Sequence, residues 1–149
     1  MSDAASRAIA ITGMGAISAF GEGAETLWTA LREGRSGIRP LRHERAADLR
    51  VRVAAQVPES FDPAAHFPER QLSMLDRTSQ FALVAANEAI AQSGLDFAAD
   101  GLGLRTAVVV GTGVGGETTQ DEQSRRLYAE NASRLHPLSI VRLMTNAPT

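Results

Sequence analysis

The 149-residue chain contains no cysteine and no lysine. Without cysteine it has neither a disulfide framework nor a thiolate metal site, and one kind of catalytic nucleophile is missing. Without lysine, all 15 basic side chains are arginines, set against 17 acidic ones for a formal net charge of -2. Bidentate phosphate binding would select arginine, but these arginines are scattered among acids and form no basic stripe, so the preference reads as a coding bias. Nucleic-acid binding is not expected. Long apolar runs are absent as well. No stretch approaches the ~20 apolar residues needed to span a bilayer. Residues 1–7 are polar and the apolar run 8–12 is too short for a signal-peptide core. The expectation is a cytoplasmic protein with no membrane association.

What is present is the balance of a soluble globular protein, 44% hydrophobic and 21% charged residues, in a length that suits one ordinary domain with a core. There is no repeat at solenoid period and no low-complexity tract. The apolar run 8–12 ends in Gly13-Met14-Gly15 and predicts a buried parallel strand entering a tight turn. Glu22 and Glu25 precede Leu27, Trp28 and Leu31, with Arg32 ahead of Gly34, which predicts a short helix with charges matched to its dipole. Residues 34–40 read as a turn, and 50–54 alternate as a half-exposed strand. Pro58, Pro63 and Pro68 make residues 42–70 a surface excursion between core elements, not a linker between domains.

The longest helix signal covers 73–93. Ser73 and Asp76 have capping-box spacing, and Gly94 stands where a left-handed terminating residue belongs. Its alanines, Ala82, Ala85, Ala86, Ala89 and Ala91, allow close approach of neighbours and predict burial. Residues 107–110 predict a second buried strand, followed by the glycine turn 111–116 and a helix toward Pro137. The order strand, helix, excursion, helix, strand, helix gives an α/β class.

Gly111, Gly113 and Gly116 fit G-x-G-x-x-G between strand and helix, which is locally a dinucleotide fingerprint resting a pyrophosphate on helix N-terminal amides. A nucleotide-binding α/β domain therefore stands as one alternative. Two features oppose it. No second strand with a terminal acid follows within some twenty residues, and the first turn, with Gly13 and Gly15, lacks a third glycine. Tight strand-to-helix packing explains Gly13, Gly15, Gly111, Gly113, Gly115 and Gly116 under any function.

The clusters and their flanks also carry a resemblance. Ile11-Thr12-Gly13-Met14-Gly15-Ala16-Ile17-Ser18 resembles the opening strand of a β-ketoacyl-[acyl-carrier-protein] synthase, a ketosynthase-type condensing enzyme. Trp28 to Leu31 with Gly34-Arg35-Ser36-Gly37-Ile38 resembles that family's next signature. Asp76-Arg77-Thr78-Ser79-Gln80-Phe81-Ala82 is similar to the start of its long helix. Val109-Val110-Gly111-Thr112-Gly113-Val114-Gly115-Gly116, followed by Glu122-Gln123, resembles its second core strand and loop. Arg142-Leu143-Met144-Thr145-Asn146-Ala147 is similar to the segment just ahead of its catalytic strand. The segments keep family order over nearly the whole chain.

The resemblance implies a thiolase-like fold, of which residues 1–149 are an incomplete N-terminal half. It implies decarboxylative condensation of an acyl thioester with malonyl-acyl carrier protein, in fatty-acid, polyene or polyketide synthesis. The implied partners are acyl carrier protein and a second ketosynthase subunit, as a homodimer or a heterodimer, and no cofactor or metal is implied. The family's catalytic cysteine and two histidines would lie beyond Thr149, leaving this segment inactive alone. A non-catalytic, chain-length-factor-like partner subunit is a further alternative. His43, His66 and His136 match no catalytic position and are too dispersed for a metal site; His136, ahead of Pro137, reads as a helix-end cap. The substrate-facing positions implied are Val114, along the acyl chain, and Ser139 and Leu143, toward the partner's acyl pocket. Val114 also reads as a valine packed beneath a glycine turn. Ser139 stands where the family commonly has phenylalanine and Thr145 where it has proline, which bears on chain-length preference. A segment ending here is expected to fold poorly or to associate through exposed apolar surface.

Overall fold

The computed structural model describes residues 8–99 and 101–148. The polar stretch 1–7 lies outside the described residues. From residue 8 the chain runs without regular structure into a minimal antiparallel hairpin, β1 (Ile17–Ser18) and β2 (Gly21–Glu22), paired Ile17 to Glu22 and Ser18 to Gly21. Helix α1 (Ala24–Arg32) follows, with Glu25 in its first turn and Arg32 in its last. The amide of Gly34 closes it on the Leu31 carbonyl at 3.0 Å. This is the helix the charge pattern predicts.

A second two-residue pair, β3 (Arg39–Pro40) with β4 (Val53–Ala54), closes the next stretch. Of the strand expected over 50–54, only its last two residues pair. Then come α2 (Glu69–Leu72), α3 (Arg77–Ser93), α4 (Glu117–Ser124) and α5 (Ser139–Leu143). α4 runs on into one wider turn of π-helix, Arg125–Ala129. The helix expected to reach residue 136 stops there instead. Asn131, a residue that tolerates the left-handed region, turns the chain at φ 51°. No helix among the described residues is long and apolar enough to cross a membrane.

The main core corrects the reading of 42–70 as a surface excursion. Phe61 and Phe67 are buried with Val84 of α3, and Val57, Leu72, Leu75 and Phe81 pack around them with Ile17 and Leu83. Phe61 meets Phe81 edge-on at 5.2 Å between ring centroids, and the Arg77 guanidinium covers both rings at 5.6 and 4.8 Å. The prolines end regular structure without excluding aromatic side chains from the interior. Asp62 starts a 3₁₀ turn at Pro63, accepting from the Ala64 amide at 2.9 Å, and that turn carries the backbone between the two buried rings.

The two buried strands expected at 8–12 and 107–110 do not form among the described residues. A strand needs a neighbour to take its amides and carbonyls, and neither segment has one here. Ile9, Ile11 and Val109 consequently stand 97, 82 and 90% exposed. The helix expected to be buried is only half so. Ser79 and Val84 are its buried residues, while Ala86 and Ala91 face outward.

Candidate functional site

α3 organises two junctions, one along its side and one at its N-terminus. Along the side, Ala85, Glu88, Ala89 and Gln92 fall at helical spacing on one face. Gly13 and Gly15 lie directly against this face, and a β-carbon at either would overlap the carbonyls of Ala89 and Ala85 respectively. The small residues on both sides are therefore a matched pair of surfaces. The polar members of the stripe then take backbone donors. The Met14 amide donates to Gln92 Oε1 at 2.6 Å, and the Ala16 amide to Glu88 Oε2 at 2.9 Å. Glu88 Oε1 accepts from the Ala24 amide, also at 2.9 Å. Ala24 is the first residue of α1, so one carboxylate satisfies an orphan donor at that helix N-terminus and fixes the preceding segment.

At the other junction Asp76, only 2% exposed, is the N-cap of α3. The capping-box expectation is thus displaced by three residues. Ser73 gives its hydroxyl to the Arg70 carbonyl at 2.8 Å, and Asp76 itself accepts from the Thr78 amide at 2.9 Å through Oδ1. Its second oxygen reaches across to α4, taking the Thr119 amide at 2.8 Å and the Thr119 hydroxyl at 2.7 Å. Thr119 is fully buried in the first turn of α4. One carboxylate thus serves the N-termini of two helices. Thr78 adds a hydroxyl bond to the Gly115 carbonyl at 3.3 Å.

The glycine turn sits on this junction. Gly115 has φ +98°, a region that favours glycine, and its β-carbon position is 3.1 Å from both the Leu143 carbonyl and Thr145 Cα. Gly116 is buried against Arg142 and Leu143, and its amide donates to the Leu143 carbonyl at 3.3 Å. Gly111 and Gly113 face open space, and nothing among the described residues demands glycine there. Just before the clamped pair, Val114 projects 58% exposed. Leu143 is half-buried behind the turn. Ser139 is buried, with its hydroxyl on the His136 carbonyl at 2.6 Å. Val114, Gly115, Gly116 and Leu143 are therefore brought into one junction, with Ser139 one helical turn away on α5; Gly13 and Gly15 belong to the other junction.

A dinucleotide reading fails locally on chemistry. The α4 N-terminus, where a pyrophosphate would rest, already holds the Asp76 carboxylate, and Glu117 adds a second acid in the first turn. The histidines lie apart. His66 pairs with Glu22 at 3.0 Å and stacks on Phe61, while the Nδ1 atoms of His43 and His136 accept turn amides from Arg45 and Leu138. His136 caps a turn, but of the loop entering α5. Among the described residues no three His, Cys, Asp or Glu side chains converge on a metal position.

Asp76, Thr119, Glu88 and Gln92 are not among the site residues expected from sequence. A signal existed for three of them. Asp76 stands directly before Arg77-Thr78-Ser79 in N-cap position, and Glu88 and Gln92 share the i, i+3, i+4, i+7 face of Ala85 and Ala89. Thr119 carries none, because its partner lies on another helix.

Comparison with known proteins places this geometry. The family model "Beta-ketoacyl synthase, N-terminal domain" matches residues 6–148. A "Putative polyketide beta-ketoacyl synthase 1" of Streptomyces cyaneus is 40% identical over 129 residues, covering 86% of this chain and 30% of its own. The "3-oxoacyl-[acyl-carrier-protein] synthase 2" of Synechocystis is 30% identical over 149 residues, covering 98% of this chain and 35% of its own. Among solved structures, "The ishigamide ketosynthase/chain length factor" superposes with a TM-score of 0.66 at 27% identity, over 90% of this chain and 33% of that one. The chain thus spans about a third of the length of these relatives. The fold is the N-terminal portion of the thiolase-like fold, and the chain belongs to the β-ketoacyl synthase family.

Proposed function

We propose that this chain is the front part of a 3-oxoacyl-[acyl-carrier-protein] synthase whose substrate is an acyl thioester extended by malonyl-acyl carrier protein. In that reaction an acyl group moves from the carrier thioester to an enzyme nucleophile. Loss of carbon dioxide from the malonyl unit then supplies the carbanion equivalent that attacks the acyl carbon, and the nucleophile leaves. This chain holds no cysteine, so a thiolate nucleophile for this reaction would come from polypeptide outside these 149 residues, as the family resemblance also implies for the two catalytic histidines, and the segment alone would then be inactive. Its own contribution is to substrate binding.

The observation that carries the reading is Val114. It projects into the open from a turn that is locked on both sides, by Thr78 at the Gly115 carbonyl and by Leu143 at the Gly116 amide. The family resemblance puts this position along the acyl chain, where the size of the side chain would limit the length that fits. Leu143 and Ser139 match positions that reach toward the acyl pocket of a partner subunit; Leu143 is half-buried behind the turn, and Ser139 puts a small buried hydroxyl where the family commonly has a phenylalanine ring.

The test is Val114→Trp in the full-length enzyme, assayed for condensation with carrier-protein thioesters of increasing length. Short acyl chains should react at nearly unchanged rate while the longest accepted chains lose activity. An unaltered length profile would sink the pocket assignment.

A second reading, a partner subunit that shapes another ketosynthase's pocket, is equally compatible with the likeness to the ketosynthase/chain length factor structure. It predicts that the purified full-length protein condenses nothing alone and restores activity when mixed with a nucleophile-bearing subunit.

A further inference from the structure

We infer that Asp76 is a positioning residue for acyl-chain selection, acting through Thr119 and the glycine turn; this rests on the assignment of Val114 to the acyl pocket. Three features lead to it. First, the carboxylate is 2% exposed and uses both oxygens, one on its own helix and one on α4, 43 residues further along. A capping aspartate needs only the first. Second, the bond to Thr119 is double, to amide and hydroxyl, at a residue that is wholly buried. Displacing it would strand a buried donor, so the distance between the two helix starts is tightly held. Third, Thr119 lies five residues after Val114, within the first turn of α4, and Thr78, two residues beyond Asp76, grips the Gly115 carbonyl between them.

The α3 N-terminus thus grips the 115–119 segment at Thr119 and at Gly115, while α5 holds it from the other side at Gly116. Val114 is the first side chain outside the grip. A shift of α4 relative to α3 is passed to the turn through the backbone of Gly115 and Gly116, which adjoin Val114. Asp76 itself touches no substrate; it sets where the gauge stands.

The experiment compares Asp76→Asn, Thr119→Val and Thr119→Ser in the full-length enzyme, each assayed as the kcat/KM ratio for a long against a short acyl-carrier-protein thioester. The Asp76→Asn side chain keeps an acceptor for Thr78 but loses the charge-assisted pair to Thr119. The ratio should change about fivefold or more, the size of one lost hydrogen bond expressed as selectivity. Thr119→Val, which removes only the hydroxyl bond, should move it in the same direction by less, and Thr119→Ser should leave it at the starting value. Val84→Ala, a core truncation remote from the turn, serves as the stability control and should lower yield without changing the ratio. Should Asp76→Asn fail to fold, the Thr119 pair carries the same comparison. An unchanged ratio in folded Asp76→Asn and Thr119→Val, or an equal change in Val84→Ala, overturns the inference. If Val114→Trp also leaves the length profile unaltered, the pocket assignment has failed; if only the Asp76 and Thr119 variants are silent, the positioning role alone has.

Discussion

Glu88 shows how much one side chain does in this molecule. Its two oxygens hold the amides of Ala16 and Ala24, the second of them an orphan donor at the start of α1. Replacement by alanine leaves both amides without their acceptor, at about 1–3 kcal/mol for each buried donor, and less where water can reach it. Glu88→Gln keeps one acceptor oxygen and should cost less. Hydrogen exchange followed on peptides covering residues 13–24 checks this. Protection should fall most in Glu88→Ala and partly in Glu88→Gln, and the loss should extend more weakly to 61–67, which touch this segment through Ile17 and the Glu22–His66 pair. Equal protection in all three proteins would show that Gly13 and Gly15, packed on Ala89 and Ala85, hold the segment without the carboxylate.

At the scale of elements, the helices α1 and α3 were readable from the sequence, α2 and α5 were not, and the expected strands did not form, for a physical reason. α1 and α3 satisfy their backbones internally, so dipole charges, the cap at Asp76 and the terminating Gly94 are local and sufficient signals. The apolar runs 8–12 and 107–110 have strand composition, but a strand also needs a neighbouring strand, and none is present among the described residues. The aromatic core was hidden because Phe61 and Phe67 are brought to α3 by proline-broken backbone, which carries no periodicity. The site was half legible. Val114 and Leu143 were marked by family resemblance, whereas Asp76 and Thr119 meet across 43 residues that no local pattern spans. Gly94 tests how far the local signals suffice. It ends α3 at φ 65° with open space where a side chain would stand. Gly94→Ala should therefore cost about 1–2 kcal/mol from backbone conformation alone. In the longer protein proposed above, the loss would appear as a lower unfolding midpoint with an unchanged acyl-length profile.

Across the whole molecule the apolar surface is unevenly placed. Ile9, Ile11, Leu104, Val108 and Val109 are exposed on and beside the two strand-like segments, and Trp28 and Leu31 line an open cleft that α1 shares with Gly15, Ala16, Glu88 and Gln92. Exposed apolar side chains in this number favour association. The expected outcome is that the 149-residue chain, purified alone, binds a hydrophobic dye and elutes as a mixture of associated species, whereas the longer protein proposed above would bind little dye and elute as one species. A monodisperse chain with a cooperative thermal transition and no dye binding would show that these faces need no cover.

The seating of Gly13 to Ala24 on α3 has a consequence for the order in which such a protein is built. Both partners in that contact lie within roughly the first 95 residues, and the fastening is made by the side chains of Glu88 and Gln92 instead of a strand ladder. As the chain leaves the ribosome, this segment can therefore be docked as soon as α3 has formed. The long helix then works as a jig, seating the segment through local side-chain bonds that wait on no long-range strand pairing.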